Sequence, residues 1–506
     1  MILRPESADQ LYFISRAEAV SGEELVLTID EVVDRLDLGS LYACWQEGGR
    51  GFYDPGMMLK LLFFAYCDGE RYSRQIAKRI KYDIRYQYFT GNFRPKYRTI
   101  CRFRTIDVEL LASYFVQIVA LCEELGLVDV SLVAIDGTKL KASAARGRTY
   151  RKRDLDKLAA RYRRMLLDDL AADRVDIGAE GLDDEAKGDE DSEAAGHKPV
   201  DRRALKRRVG EALKRLGDGE SEVNLTDGDA KLMKTSDGGI RPCYNGQIAV
   251  DNNQIIVAAD ISGRVNDVDN LRGMVEQTHE NIATRAGKYL ADGGYYTRSN
   301  LKYAVAEGLD IYIPPINGHQ ESEDKYKRND FTYDERTDSY LCPAGERLAY
   351  SGSRYQGDIM VKTYACSSLK CKVCKLKSQC TSSRRRQLNI SQVYSHEQAL
   401  AEKLASPSGR KVYNRRRSLV EPVFGNIKFN MGFNRFCLRG LRKVKIEFLL
   451  MCIAHNLKKM SGCWGQLKAN SLRSPLIIAE KIHLIFVILT KLTIPQEIPQ
   501  PILNYT

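Results

Sequence analysis

The sequence lacks an uninterrupted apolar stretch long enough to cross a membrane. Its most apolar late segment, residues 475–495, is broken by Glu480, Lys481 and Lys491, whereas a spanning helix needs about 20 mostly uncharged residues. The first residues, MILRPESADQLYF, also lack a basic segment followed by an apolar one, so we expect no signal peptide. No repeat occurs at the periods of solenoid proteins. Residues 475–495 are therefore expected to form a helix that packs on a partner or lies on a surface.

Acidic residues are outnumbered by basic ones. The 506 residues include 78 Lys and Arg against 66 Asp and Glu, a formal net charge of +12. Such an excess of basic residues is typical of proteins that bind a polyanion, although ordinary solubility charge would also account for it. The positive charge is densest in residues 71–104, which contain 11 Lys or Arg and a single acidic residue, Asp83. This segment favours DNA binding.

Cysteine is not scarce, with 13 residues in the chain. Without export, most of them are expected to be reduced thiols in a cytoplasm. One group has metal-ligand spacing, Cys366-x4-Cys371-x2-Cys374-x5-Cys380, and Cys342 upstream could replace one member. A four-thiolate zinc site is the favoured interpretation. Bystander thiols and an iron–sulfur cluster remain open.

Residues 1–127 have helical apolar spacing and are predicted to form an all-α domain. A helix over 73–80, a turn at Gly91 and Pro95, and a basic helix from about Lys96 follow the order of a helix-turn-helix unit. The candidate DNA contacts are basic or aromatic residues around that second helix. They are Arg94, Lys96, Tyr97, Arg98, Arg102 and Arg104.

Residues 128–460 are predicted to form an α/β domain. Five short apolar runs, LVAID, YNGQIAVD, QIIVAADI, YLAD and DIYIPP, indicate a mixed five-stranded sheet with flanking helices. Two inserts interrupt it: a helical one over 141–222, whose acidic middle at 176–193 is a predicted linker, and a cysteine-bearing one over 317–406. An apolar tail of unknown role covers 461–506.

Three acidic residues stand in informative contexts. Asp136 and Asp292 each end a predicted strand, and Glu421 lies in a basic, helix-like segment. Each alone could be a turn cap or a surface ion pair. Carboxylates at strand ends together with a helical carboxylate favour an RNase H-like fold that holds two divalent metals for phosphodiester chemistry. Arg417 and Lys428 lie four residues before and seven after Glu421, so all three are expected on one helix face.

The chain resembles bacterial insertion-sequence transposases of the DDE superfamily. The matching motifs are PGMMLKLLFFAYCDG, AIDGTKLKA, YNGQIAVD, ADGGYY and SLVEPVFGNIKFNMGFNRFCLRG, which span about residues 50 to 460. The resemblance is to the branch with an N-terminal helical DNA-binding domain, an RNase H-like core and a cysteine-bearing insert. In these transposases an Arg precedes and a Lys follows the catalytic Glu, as Arg417 and Lys428 do here. Tyr413 lies one position further out than the family's Tyr.

The resemblance implies a function and a set of site residues. Asp136, Asp292 and Glu421 would be catalytic and would bind Mg²⁺ or Mn²⁺, while Arg417 and Lys428 would position DNA. The reaction would be hydrolysis and transesterification of phosphodiesters at the terminal inverted repeats, by a homodimer that holds element ends and target DNA in the bacterial cytoplasm, at the nucleoid. Two alternatives remain: an RNase H-like nuclease without strand transfer, and an inactive DNA-binding protein derived from a transposase.

Overall fold

The computed structural model describes residues 15–44, 53–161, 164, 202–217, 219–235, 237–315, 326–463 and 465. The predicted linker at 176–193 and the predicted helix at 475–495 lie outside these residues. The helices are α1 Arg16–Ala19, α2 Glu24–Arg35, α3 Gly39–Ala43, α4 Pro55–Cys67, α5 Ser73–Tyr82, α6 Ile84–Thr90, α7 Tyr97–Phe103, α8 Val108–Glu124, α9 152–161, α10 Arg202–Gly217, α11 Leu271–Asn281, α12 Arg298–Ala306, α13 Ser368–Lys372, α14 Lys377–Cys380, α15 Tyr394–Ala405, α16 Pro407–Gly425 and α17 Leu441–Ser461.

The strands fall into three sheets. They are β1 Val133–Lys141, β2 Thr149–Arg151, β3 Glu222–Asn224, β4 Lys231–Lys234, β5 Ile240–Val250, β6 Ile256–Ser262, β7 Tyr289–Ala291, β8 Ile311–Tyr312, β9 Thr332–Asp334, β10 Ser339–Leu341, β11 Arg347–Gln356, β12 Ile359–Ala365 and β13 Gln387–Ser391. The largest sheet has the order β4-β5-β1-β7-β8, with β6 also paired to β5.

The central sheet is mixed. β5 pairs antiparallel with β1, β4 and β6, whereas β7 pairs parallel with both β1 and β8. The five strands predicted from the apolar runs are all present, so an α/β core with flanking helices is confirmed. The predicted count of five is corrected to six, because the short segment KLMK also pairs, as β4. Two lysines frame only two apolar residues there, a pattern too short to indicate a strand.

The N-terminal helices and the sheet share one hydrophobic core. Buried side chains of α2, α4 and α8 join those of β1, β5, β6 and α17 in a single cluster. Helix α17 is buried along most of its length, as expected of a helix whose middle, residues 448–454, is continuously apolar. Its Asn456 side chain accepts a hydrogen bond from the backbone N–H of Ile256 at 3.0 Å and donates one to the Ile256 carbonyl at 2.9 Å. A buried amide therefore fixes α17 against β6.

The local signals of α4 and α7 behave as predicted, whereas α6 is an additional helix between the predicted helix at 73–80 and the turn at Gly91. Asp54 accepts a hydrogen bond from the Met57 N–H at 2.7 Å and caps α4, whose first residue is Pro55. Helix α6 ends at Gly91, which has a φ of 58°, and α7 follows after Lys96. Glycine is suited to this left-handed backbone, which the turn between the two helices requires.

Each insert has a small cluster of its own. In the first, β2 and β3 pair antiparallel, and Leu155, Val209 and Leu216 are buried together. In the second, β9 to β13 form a five-stranded antiparallel sheet in the order β13-β12-β11-β10-β9. Across the described residues, no single helix is long and apolar enough to cross a membrane; α7 and α8 reach that length only as a pair, with an angle of 77° between them.

Candidate active site

The parallel pairing of β1 and β7 brings two of the predicted carboxylates side by side. Ile135 is paired with Ala291 at the end of the register, so Asp136 and Asp292 are the next residues on adjacent strands. Both strands are anchored by buried apolar residues before the aspartates. Asp136 Oδ1 accepts a hydrogen bond from the Gly137 N–H at 2.9 Å, and Asp292 Oδ1 accepts one from the Gly294 N–H at 2.8 Å.

The electrostatics of Asp136 are those of a crowded anionic site. Burial raises the pKa of the Asp136 carboxyl to about 6, the nearby Arg416 guanidinium opposes this rise, and the charge of Asp292 adds to it. Two neighbouring carboxylates that resist ionising together are stabilised by a bound cation. The arrangement is therefore suited to attract a metal ion or another positive group.

Arg416, which the sequence analysis did not single out, provides such a positive group. Its Nη1 lies 2.8 Å from Asp136 Oδ2, and the two side chains are only 14% and 17% exposed. Helix α16 directs Arg416 inward because the buried Leu419, Val420 and Val423 lie three, four and seven residues further on. This spacing is the signal that could have identified it. Arg417, the next residue, is exposed.

Lys428 also lies at this site. It belongs to the π-helical turn Asn426–Asn430 that follows α16, an irregularity often found at functional sites. Its Nζ donates a hydrogen bond to the Thr138 hydroxyl on β1. Burial lowers the pKa of Lys428, and the Asp136 carboxylate opposes this shift. Lys428 therefore contacts β1 two residues beyond Asp136 and interacts electrostatically with that carboxylate.

Glu421 is placed differently from the two aspartates. It lies on the exposed face of α16, as Arg417 does, and no hydrogen bond or ion pair within the described part of the chain joins it to Asp136 or Asp292. Among the described residues, no three His, Cys, Asp or Glu side chains form a group that could hold a metal ion. Metal binding by the three predicted carboxylates would therefore require side chains to move.

Five of the six DNA-contact residues that were predicted around the second helix are exposed, at or just before α7, and we call them the α7 surface. They are Arg94, Lys96, Tyr97, Arg98 and Arg102. The guanidinium carbons of Arg74 and Arg98 lie 5.1 Å and 6.0 Å from the centre of the Tyr97 ring. Arg98 and Arg74 lower the pKa of Tyr97. An exposed aromatic ring between two cations is suited to a phosphate backbone.

Arg104 departs from this pattern. It is 5% exposed, and its Nη1 donates a hydrogen bond to the Arg71 carbonyl. Its guanidinium interacts electrostatically with the buried Tyr66 and Glu447. The placement of Arg104 contradicts its proposed contact with DNA, because a side chain in the interior cannot reach a phosphate.

The cysteines of the second insert surround one small cavity. Cys342, Cys366, Cys371, Cys374 and Cys380 line a space of about 30 Å³, and all five are free thiols. Cys342 Sγ accepts a hydrogen bond from the Glu346 N–H at 3.3 Å. Burial raises the pKa of Cys366 to about 12. The thiols thus converge on one point, although their present arrangement is not that of a metal site.

Two family models match the chain. Residues 15–105 match a family described as a transposase domain (DUF772), a segment that contains α1 to α7 and the α7 surface. Residues 341–461 match a family described as a transposase DDE domain, and this segment contains the cysteine cavity, α16 and α17. No curated protein matches the chain.

Proposed function

Since the chain belongs to the insertion-sequence transposases of the DDE superfamily, we propose that it cuts and joins DNA at the ends of its own element. The observation that carries this proposal is the position of Asp136 and Asp292 on adjacent parallel strands, with Arg416 and Lys428 beside them. The strand order β6-β5-β1-β7-β8, followed by α16 against β1, supports an RNase H-like core.

Asp136 and Asp292, with Glu421, would hold Mg²⁺ or Mn²⁺. Hard oxygen ligands of this kind suit both ions, and the crowding that raises the pKa of Asp136 is relieved when a cation binds. Glu421 lies on α16, the helix that already contacts β1 through Arg416. Bound metal would supply an activated water and stabilise charge that develops on the phosphate.

The cations of the site would orient the DNA. Lys428, which donates a hydrogen bond to Thr138 and interacts electrostatically with Asp136, would contact the scissile phosphate. Arg416 would hold Asp136 in place until the metal and DNA arrive. Arg417, exposed on the same helix, would contact the neighbouring backbone. Positioning of this kind lowers the barrier by aligning the attacking oxygen with the phosphate.

The α7 surface would bind the terminal inverted repeats. Arg94, Lys96, Arg98 and Arg102 are exposed there, and each phosphate that a cation neutralises releases counterions from DNA. Joining two element ends to target DNA requires two active sites in one complex, so we expect a homodimer on DNA. The free thiols are consistent with action in the bacterial cytoplasm, at the nucleoid.

The second insert would hold a structural Zn²⁺. In the described part of this insert, the cluster at its core has five buried members, Phe331, Leu348, Tyr364, Cys366 and Leu388, and so small a unit commonly needs a metal for stability. The five cysteines that line one cavity offer more than the four thiolates that zinc takes. Metal analysis of the purified protein should find about one zinc per chain, lost when Cys371 and Cys374 are replaced by Ser. Absence of zinc from the wild type would refute this part of the proposal.

The decisive experiment uses the full-length protein with the DNA ends that flank its own gene. In Mg²⁺ we expect cleavage and strand transfer, both lost in Asp136→Asn, Asp292→Asn and Glu421→Gln. Glu276→Gln, which alters an exposed ion pair on α11, is the matched control and should remain active.

The outcomes separate the alternatives. If the three variants still cut, the assignment of the catalytic residues is wrong. Cleavage without joining would favour a nuclease, and specific binding of the ends without cleavage by the wild type would favour an inactive DNA-binding protein.

A further inference from the structure

A third carboxylate, Asp267, lies next to Gly137, the residue after Asp136, and near Gly294 in the turn that carries Asp292. It belongs to the loop between β6 and α11. Its Oδ1 accepts hydrogen bonds from Asn245 Nδ2 at 2.6 Å, from Gln247 Nε2 at 2.7 Å and from Lys139 Nζ at 3.3 Å. With three donors on one oxygen, Asp267 is already engaged by the protein.

These hydrogen bonds reach the strand that carries Asp136. In the antiparallel pair of β1 and β5, Gly137 is opposite Gln247 and Lys139 is opposite Asn245, so all four residues share one face of the sheet. A Cβ atom on Gly137 would lie only 2.7 Å from Asp267 Oδ1. The Asp267 carboxylate thus rests against the backbone of the residue that follows Asp136.

Asp267 also reaches the turn that carries Asp292. A Cβ atom on Gly294 would lie 3.0 Å from Asp292 Oδ1 and 3.6 Å from Asp267 Oδ2, so Gly294 lies close to both carboxylates. The Asn300 side chain ties the two loops together, since its Nδ2 donates to the Val268 and Tyr295 carbonyls, each at 2.7 Å.

The Tyr295 hydroxyl completes the network by donating to Gln247 Oε1. One continuous set of hydrogen bonds therefore connects β1, β5, the loop of Asp267 and the turn of Asp292.

We propose that Asp267 is a positioning residue that keeps Asp136 and Asp292 side by side. Two adjacent carboxylates repel each other before a cation binds, and only a rigid support holds them in place. Asp267 supplies that support by accepting hydrogen bonds from both Asn245 and Gln247. This inference rests on the proposed function for its effect on cleavage, but its effect on the structure can be measured without it.

The test compares two substitutions in the full-length protein. Asp267→Asn keeps an acceptor oxygen, whereas Asp267→Leu has similar size and accepts nothing. We expect Asp267→Leu to lose amide-exchange protection at residues 136–141 and 292–297, and to cleave about 10- to 100-fold more slowly with a higher Mg²⁺ requirement, as loss of a supporting hydrogen bond commonly does. End binding should be unchanged. Asp267→Asn should stay within a few-fold of the wild type in both measurements.

Asp269→Leu is the matched control, because Asp269 lies on the same loop but its carboxylate forms an ion pair with the exposed Arg264, outside the network of Asp267. It should leave exchange and cleavage unchanged. If Asp267→Leu does not fold, Asn245→Leu removes one donor of the same network and should lose protection at the same two segments.

The proposal is wrong if Asp267→Leu, or Asn245→Leu in its place, keeps the amide-exchange protection of the wild type at both 136–141 and 292–297. It is also wrong if Asp267→Asn is as inactive as Asp136→Asn, because Asp267 would then be a metal ligand. If the wild type itself does not cut DNA, the proposed function fails, and the exchange measurement still decides the role of Asp267.

Discussion

Arg416 Nη1 donates a hydrogen bond to Asp136 Oδ2 over a distance of 2.8 Å, although the two residues are 280 positions apart in the sequence. The contact joins α16 to the end of the apolar part of β1. It also places a guanidinium at one of the carboxylates that are proposed to hold the metal ion. A metal ion that bound Asp136 would therefore replace a contact that Arg416 now makes.

Removal of this arginine should shift the pH dependence of cleavage. Arg416 opposes the rise in the pKa of Asp136 that burial causes, so Arg416→Met should raise that pKa further above about 6. Metal binding needs the ionised carboxylate, and the acidic limb of the cleavage profile should move to higher pH. Rates in Mg²⁺ between pH 5 and 8 measure this shift. Arg417→Met, at the exposed neighbour, is the control. If the acidic limb of the cleavage profile lies at the same pH in the two variants, the prediction is wrong.

The same carboxylate should make the protein less stable at neutral pH. Because the pKa of Asp136 is raised to about 6 in the folded state, that state binds the proton more tightly than the unfolded chain does. The resulting loss in the free energy of unfolding is absent below about pH 4 and grows as the pH rises through 6, to at most about 3 kcal/mol.

Asp136→Asn should therefore have a higher unfolding temperature than the wild type at pH 7.5 in the absence of metal, and the difference should vanish near pH 4. Thermal melts at the two pH values test this. An Asn variant that is less stable than the wild type at pH 7.5 would show that the carboxylate is favourable where it lies.

The sequence was sufficient to predict the strands whose apolar runs are buried in the central sheet. LVAID and YLAD end in Asp136 and Asp292, and parallel pairing of two such strands brings their ends together. The short β4 could not be predicted, because its pairing depends on the neighbouring edge of β5 and not on its own pattern. The mixed architecture could be derived, but the exact strand count could not.

Contacts between distant elements explain what sequence reasoning missed. Arg416 and Arg417 are adjacent and chemically identical, and the packing of α16 on β1 buries Arg416, which shares a helix face with Leu419, Val420 and Val423. Asp267 lies in a loop without a motif, and its role depends on donors from β1 and β5. Arg104 continues a basic run, yet its side chain points inward. Charge patterns identify a surface or a site, while burial decides which members belong to it.

Gly137 should be indispensable because the Asp267 network occupies the space beside it. A Cβ atom there would lie 2.7 Å from Asp267 Oδ1 and 3.1 Å from Asn245 Oδ1, so Gly137→Ala must displace the network or β1. We expect a loss of stability of about 1 to 3 kcal/mol and slower cleavage.

Gly273→Ala on α11 is the control, since nothing lies within 4 Å of its added atom, and it should be neutral or slightly stabilising. Chemical unfolding and cleavage assays of both variants decide; two equally stable, active proteins would refute the claim.

The two arginines Arg98 and Arg104 should have opposite effects, although both belong to the basic segment. Arg98 is exposed on the α7 surface beside Tyr97. Arg98→Ala should therefore weaken binding of the element ends and reduce the slope of log affinity against log salt concentration by about 0.9, for the one lost phosphate contact.

Arg104 is buried and donates to the Arg71 carbonyl. Arg104→Met should leave the slope unchanged and lower the free energy of unfolding by about 1 to 3 kcal/mol. Binding titrations at several salt concentrations, together with urea unfolding, separate the two effects. A reduced slope in a stable Arg104→Met protein would show that Arg104 contacts DNA, which would require its side chain to become exposed on binding.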